Sequence, residues 1–228
     1  MASTAFRQSL LQQTAPAEQL RTSRKIVIEI CRQRSRVPED PDLKISAQRI
    51  GDAPIIRPHM DKRMGDNVNG PSLIRVPDWL PNPLGKYYLY FAHHDGQYIR
   101  LAYADDLRGP WQTVESGVLP LADSLFRGHI ASPDVIVDSE TKTLRLYYHG
   151  ADEPTANNAP QVTRVATSRD GINFQAHAEV LGQPYMRVFR YQDWHYAIAM
   201  PGILYRSIRM ICLGRLRSAC SVSRGRRF

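Results

Sequence analysis

The sequence has few cysteines and no long apolar run. Its cysteines are Cys31, Cys212 and Cys220, an odd number without C-x-x-C spacing. This pattern argues against a disulfide framework or a zinc site and favours a reducing compartment. No run of about eighteen apolar residues is present, so no membrane-spanning helix is predicted. The N-terminus also lacks an apolar stretch of signal-peptide length. We therefore expect a cytoplasmic protein for the chain as written, or a secreted or periplasmic one if the true start lies elsewhere.

Acidic residues are missing near the C-terminus. Residues 206–228 carry seven arginines and no aspartate or glutamate. Removing those seven from the 30 basic residues leaves 23 against 22 acidic ones, so the rest of this +8 chain is nearly neutral. A basic tail can bind phosphate backbones, but runs of like charge are usually solvated. A nucleic-acid partner is therefore not favoured.

Several motifs of catalysis and cofactor binding are missing as well. There is no G-x-S-x-G nucleophile motif. No glycine-rich phosphate loop and no H-E-x-x-H metal motif is present either. The sequence predicts neither a cofactor nor a resident metal ion.

From Ile55 onwards, the chain consists of short apolar runs separated by prolines, glycines and aromatic residues. This pattern is typical of an all-β protein with short strands. Four strands are predicted first, and the hairpin dipeptide DG joins the second to the third. They are NGPSLIRV (69–76), KYYLYFAHH (86–94), QYIRLAYA (97–104) and WQTVES (111–116).

The same order of strands recurs along the chain. The second group is SPDVIVD (132–138), TLRLYYHG (143–150) and VTRVATS (162–168), followed by RDGINF (169–174), which predicts a turn and then an aromatic residue on a fourth strand. A third group begins with YMRVFRYQ (185–192), WHYAIAM (194–200) and GILYRS (202–207). Four-stranded antiparallel units repeated in this way define the blades of a β-propeller. A β-sandwich or a string of hairpins is the alternative.

We predict an all-β chain in three parts. An irregular or helical N-terminal extension covers 1–54, a partial β-propeller covers 55–207, and a basic tail covers 208–228. The propeller contains about two and a half blades, whereas closure requires at least about four. The predicted blades are 69–116, 130–177 and 185–207.

The four-strand pattern stops after Arg206. The remaining sequence, IRMICLGRLRSACSVSRGRRF, is rich in arginine, serine and cysteine. It contains no alternation of strands and turns. A disordered or frame-shifted end is one interpretation, and an amphipathic basic helix at 206–217 is the other.

Six segments resemble the five-bladed β-propeller glycoside hydrolases of the family 43-like and family 32-like clan. They are NGPSLIRV, YYLYFAHHDG, IRLAYADDLRGPW, ASPDVIVD, LRLYYHG and TSRDGINF, and the similarity covers about Ile55 to Ser207. The resemblance implies five blades whose innermost strands converge on an axis with acids at their mouths. It also implies glycoside cleavage, in which a carboxylic acid protonates the leaving oxygen and a carboxylate activates water or attacks.

The resemblance gives Asp134 a catalytic role. In SPDVI this residue matches the second-blade aspartate, which tunes the acid and orients the substrate. The first-blade general base would stand where this chain has Gly70. Asp66 can replace it if its loop turns inward, whereas Asn69 has no titratable proton and cannot act as a base.

The third blade offers arginines where the resemblance implies a glutamate as general acid. Arg187 and Arg190 would suit an anionic sugar, such as a uronate or a sulfated unit, if they face the axis. The tyrosines and phenylalanines of 185–191 are interpreted as packing between blades. A few aromatic residues at the strand mouths could stack on sugar rings.

Histidines recur at comparable positions of the blades. His94 and Asp95 end a strand of the first blade, His149 is assigned the matching place in the second, and His129 precedes an inner strand. The structural alternative is a hairpin end with no ligand. The predicted substrate-binding residues are Asn69, His94, Asp95, His129, His149 and Arg187, and the predicted catalytic residues are Asp134 and Asp66.

Together these features predict a glycoside-hydrolase-like propeller that hydrolyses O-glycosidic bonds of an oligo- or polysaccharide. Weak or no hydrolysis is expected if the propeller is incomplete. The alternatives are a non-catalytic carbohydrate-binding propeller and an interaction module with a nucleic-acid-binding tail. We expect a monomer with a carbohydrate ligand and no membrane partner.

Overall fold

A computed structural model of the protein describes residues 46–94, 96–151, 160–191, 194–207 and 217–221. Over these residues the protein is all-β, as predicted, with twelve strands and a single 3-10 turn at Leu121–Asp123. No helix in this part of the chain has the length and apolar character needed to cross a membrane. Most of the predicted N-terminal extension, residues 1–45, lies outside the described residues.

The strands form three four-stranded antiparallel sheets, each in chain order. Sheet 1 contains β1 (Asn69–Arg75), β2 (Tyr87–Ala92), β3 (Tyr98–Ala104) and β4 (Gln112–Pro120). Sheet 2 contains β5 (His129–Asp138), β6 (Thr143–Ala151), β7 (Gln161–Ser168) and β8 (Gln175–Ala176). Sheet 3 contains β9 (Arg187–Tyr191), β10 (Trp194–Ala199), β11 (Ile203–Ser207) and β12 (Arg217–Ser221).

Sheet 3 has a fourth strand that the sequence does not predict. β12 pairs with β11 and lies within the segment assigned to the basic tail. Its sequence, RSACS, has no apolar alternation and no β-branched residue, so pattern analysis cannot recognise it. The described residues thus form three four-stranded sheets rather than two and a half blades. Residues 208–216 and 222–228 lie outside the described part.

The sheets stack through apolar cores on alternating faces. Tyr90 of sheet 1 packs with Leu146 of sheet 2 in one core. Tyr147, the next residue of β6, instead joins Val188 of sheet 3 in a second core. Successive side chains of a strand point to opposite faces, so sheet 2 is covered on both sides. Stacked four-stranded sheets are the arrangement of propeller blades.

The turn after β7 holds sheet 2 against sheet 1. The hydroxyl of Tyr90 donates to the carbonyl oxygen of Gly171 at 2.9 Å. Gly171 has φ 76°, and a Cβ there would lie 3.0 Å from the Tyr88 ring, so glycine is required. Burial alone would raise the pKa of Asp170, but hydrogen bonds, mainly from Asn173, lower it to about 2. The predicted turn in RDGINF is therefore structural.

Candidate functional site

Near the start of the first strand of each sheet lies a residue with left-handed backbone geometry. These residues are Gly70 (φ 58°), Ser132 (φ 48°) and Tyr185 (φ 58°). At the first two, the pairing register shifts and forms a bulge. A bulge bends a strand and re-aims the neighbouring side chains. The left-handed geometry recurs at the mouths of β1, β5 and β9, and the bulge at those of β1 and β5.

The three strand mouths adjoin one another. A Cβ added to Gly70 would lie 2.5 Å from the Cα of Ser132, so no side chain fits between β1 and β5. Arg187 Nη1 donates to the carbonyl oxygens of Ser132 at 3.3 Å and Pro133 at 2.9 Å, which links β9 to β5. We call the surface formed by Gly70, Ser132, Tyr185 and Arg187 the rim.

Asp134 lies just inside the rim. Its Oδ2 accepts the backbone N–H of Val188 at 2.8 Å, which joins sheet 2 to sheet 3. Burial raises the pKa of Asp134, and the hydrogen bond from Val188 and the charge of Arg187 oppose that rise. Among the residues that the structure describes, no second carboxylate contributes to the shift in the pKa of Asp134.

Ser72 makes the same contact one sheet earlier. Its Oγ accepts the backbone N–H of Val135 at 2.9 Å, which joins sheet 1 to sheet 2. Ser72 follows Gly70 by two residues, just as Asp134 follows Ser132. The side chain of Asp134 therefore occupies a position at which this fold ties neighbouring sheets together.

Asp66 contacts a histidine rather than the buried acid. Its side chain is 84% exposed, and its Oδ1 lies 3.5 Å from Nε2 of His93. No contact between Asp66 and Asp134 is found among the described residues. The inward turn that a general base would need is therefore not supported, and the catalytic role of Asp66 stays a prediction. Asp95 lies outside the described residues.

The side chains of Asn69 and His94 are in contact, and their role in binding substrate stays a prediction. Asn69 Nδ2 lies 2.8 Å from His94 Nδ1, and Asn67 Oδ1 accepts the backbone N–H of His94 at 2.9 Å. The Ser132 hydroxyl lies 3.5 Å from Asn69 Oδ1. These contacts place a polar group of sheet 1 directly beside the rim.

His129 and His149 also lie together. Their ring centroids are 6.2 Å apart, and the His149 ring lies 4.1 Å from that of Tyr185. Burial, followed by the charges of His129, Arg187 and His94, lowers the pKa of His149 to about 3. His149 is 2% exposed and neutral at physiological pH, and its Nδ1 has no hydrogen-bond partner among the described residues.

The matching place of His149 in sheet 1 is not that of His94. His149 pairs with Ala131 on β5, whereas Ala92 pairs with the equivalent residue, Asn69, on β1. His94 lies two residues beyond Ala92, so the predicted equivalence is wrong by two positions. Matching the two sequences by their histidines misses this offset, because β2 ends at Ala92, before His94, whereas β6 continues past His149 to Ala151.

The two predicted arginines have different locations. Arg187 belongs to the rim, and its charge acts on Asp134 and His149. Arg190 is 60% exposed, with its Nη1 4.0 Å from Oε1 of Glu140. Only one of these two guanidinium groups is therefore placed to contact a ligand at the rim.

From the sequence, Tyr185 is assigned only a packing role, as one of the aromatic residues of 185–191. Its place before β9 corresponds to that of Gly70 and Ser132, and these positions are visible in the sequence because prolines follow both residues. Tyr185 is followed by Met186, so the pattern is hidden there. Within the described part of the chain, no group of three or more His, Cys, Asp or Glu residues is placed to hold a metal ion.

No protein-family model matches the chain. An uncharacterized protein of Acanthamoeba polyphaga mimivirus is 37% identical over 159 residues, which is 62% of this chain and 44% of that protein. The chain therefore spans less than half the length of this relative.

The fold is similar to that of solved β-propeller glycosidases. The GH43_1 enzyme of Xanthomonas citri, in complex with xylose, aligns with a TM-score of 0.53 and 16% identity, over 73% of this chain and 57% of the enzyme. A family 117 glycoside hydrolase from Zobellia galactanivorans aligns with a TM-score of 0.52 and 18% identity, over 74% of this chain and 50% of the enzyme. At these identities the likeness shows a propeller-like fold of the kind found in these enzymes, and it concerns the fold alone.

Proposed function

We propose that this protein is a glycoside-hydrolase-like β-propeller that binds a carbohydrate at the rim. The observation that carries the proposal is the gathering of polar groups and an aromatic ring there: Arg187, the Asn69–His94 pair and Tyr185. Ligand sites combine aromatic surface with a few oriented polar groups. The fold supports this choice, since a neighbour was crystallised with xylose and with xylotriose.

The side chains at the rim suit carbohydrate binding better than they suit hydrolysis. Glycoside cleavage uses two carboxyl groups about 5 to 10 Å apart. Asp134 is tied to the backbone of Val188, and Asp66 contacts His93. The position of the first-blade base is occupied by Gly70, which has no side chain. In this chain the rim therefore offers hydrogen-bond donors and an aromatic surface.

Hydrolysis of O-glycosidic bonds is the second candidate because Asp134 has a raised pKa. A rise in pKa moves a carboxyl group towards the range in which it can act as a general acid. This candidate requires a second carboxylate, from Asp66 or from a residue outside the described part such as Asp95. Turnover of an aryl-glycoside panel that is lost in Asp134→Asn would favour it over binding alone.

The rim favours a neutral sugar over a polyanionic one. Of the two arginines considered for a uronate or sulfate, only Arg187 lies at the rim, and its Nη1 already donates to two backbone carbonyls. Its charge is also partly balanced by Asp134. A neutral oligosaccharide such as xylotriose is therefore the first probe, with an oligouronate for comparison.

The test is calorimetric titration of the 228-residue chain with both probes. Two variants form a matched pair: Arg187→Leu removes a rim arginine, and Arg190→Leu removes one from the same strand outside the rim. We expect binding of at least one probe, weakened about tenfold by Arg187→Leu and unchanged in Arg190→Leu. The proposal fails if neither probe binds or if both variants weaken binding equally.

A further inference from the structure

Tyr185 adopts a backbone conformation that bulky residues rarely take. Its φ is 58°, and the equivalent residues at the other strand mouths are Gly70 and Ser132. Glycine tolerates this region without strain, and a small polar residue fits it better than a large aromatic one. A strained residue persists only where its surroundings hold it in place, and such residues cluster at ligand sites. The strain raises the question of what the tyrosine ring contributes there.

The ring of Tyr185 rests on a buried histidine. The two ring centroids are 4.1 Å apart with an angle of 42° between the planes, and His149 is only 2% exposed. His149 remains uncharged at neutral pH, so the layer behind Tyr185 is neutral and aromatic. Tyr185 itself is only half-buried, and part of its surface is therefore open to solvent.

Polar groups lie at the strand mouths beside this aromatic surface. Arg187 follows Tyr185 by two residues and donates to the mouth of β5. The Asn69–His94 pair reaches the same strand mouth, because the Ser132 hydroxyl lies 3.5 Å from Asn69 Oδ1 and the Ser132 carbonyl accepts from Arg187. A flat aromatic surface bordered by donors matches a sugar ring, whose C–H face is apolar and whose hydroxyls point outward.

We propose that the ring of Tyr185, backed by His149, is the platform on which one sugar ring of the bound carbohydrate stacks. This inference rests on the proposed function and names a residue that sets its ligand geometry. It also gives a reason for the strained backbone: the left-handed conformation places the ring over His149 at the rim, where glycine and serine leave no platform.

The test compares variants of Tyr185 in binding xylotriose and the oligouronate. Tyr185→Gly removes the ring and suits the left-handed backbone, and Tyr185→Asn is a second variant that tolerates the same φ. Tyr185→Phe keeps the ring. Tyr191→Ser, at a 59% exposed tyrosine of β9 away from the rim, is the matched control. Cooperative melting of each variant verifies that it is folded.

We expect Tyr185→Gly and Tyr185→Asn to weaken binding about tenfold, as loss of an aromatic contact does. Tyr185→Phe and Tyr191→Ser should stay within about twofold of the unaltered chain. If the chain binds a probe and Arg187→Leu weakens it but Tyr185→Gly does not, the platform is wrong while the proposed function stands. If neither probe binds the unaltered chain, the stacking platform and the proposed function are both overturned.

Discussion

The carboxylate of Asp134 accepts the backbone N–H of Val188, at 2.8 Å, across the boundary between two sheets. Ser72 makes the equivalent contact to Val135 at 2.9 Å across the preceding boundary. The residue that the sequence favours as catalytic therefore also has a structural role, which it shares with a residue that cannot titrate near neutrality. Binding and stability effects of Asp134 must be separated experimentally.

Replacing Asp134 by alanine is expected to destabilise the fold by about 1–2 kcal/mol, because the buried N–H of Val188 loses its acceptor. Asp134→Asn keeps an acceptor oxygen and should cost less than about 1 kcal/mol. Ser72→Ala is the matched control for the other boundary. Urea unfolding at pH 7 measures the stability of the three variants. Equal stability of Asp134→Ala and the unaltered chain would contradict a stabilising hydrogen bond between Asp134 and Val188.

The same residue predicts a pH dependence. Because the pKa of Asp134 is raised by burial, the folded state binds its proton more tightly than the unfolded state. The resulting stability is present below the unfolded pKa of about 3.9 and is lost as the pH rises through the folded pKa. The stability cost of Asp134→Asn should therefore be smaller at pH 7 than at pH 4. A constant difference across that range would be inconsistent with a raised pKa.

Burial of His149 should make the folded state less stable in acid. Its pKa is lowered to about 3 by burial and nearby charges, whereas an unfolded histidine titrates near 6.5. Stability is therefore lost as the pH falls below about 6.5, by about 2 kcal/mol at pH 5. His149→Phe, which retains a ring against Tyr185, should reduce that loss. His59→Asn, in an exposed loop, is the control. Urea unfolding at pH 7 and pH 5 gives the stability of each of the two variants relative to the unaltered chain at both pH values.

A buried ion pair at the far end of β5 predicts a large mutational effect. Arg145 donates from Nε and Nη2 to Oδ2 of Asp138 at 3.1 and 2.8 Å, and both residues are at most 9% exposed. Asp138→Asn should destabilise the chain by about 3 kcal/mol, because it leaves a buried guanidinium without its counter-charge. The double variant with Arg145→Met should recover part of the loss. A double variant less stable than Asp138→Asn would contradict this explanation.

The all-β class and most strands are predictable from the sequence, since turn dipeptides and apolar alternation mark them directly. NGPSLIRV, for example, corresponds closely to β1, and SPDVIVD lies within β5, which begins three residues earlier at His129. β12 is not predictable, because RSACS forms a strand only through its pairing with β11. Tertiary pairing decides that segment, and local pattern carries no signal for it.

The site is predictable in part for a similar reason. The repeated order of strands places Asn69, His94 and Arg187 at the mouths of neighbouring sheets. Their common location could therefore be predicted. The direction of Asp66 and the two-residue offset of His149 depend on loop length and register, which the residue types do not encode. Tyr185 is hidden because its backbone geometry, rather than its neighbours in sequence, marks it as the equivalent of Gly70.

Carbohydrate binding at the rim is tested most directly by a crystal structure of the chain soaked with the saccharide that binds best in solution. We predict a sugar at the rim, with hydroxyls within hydrogen-bond distance of Arg187 or His94 and one ring against Tyr185. A sugar found instead in the polar depression at the far end of sheet 2, beside Thr143 and Ser168, would contradict the account.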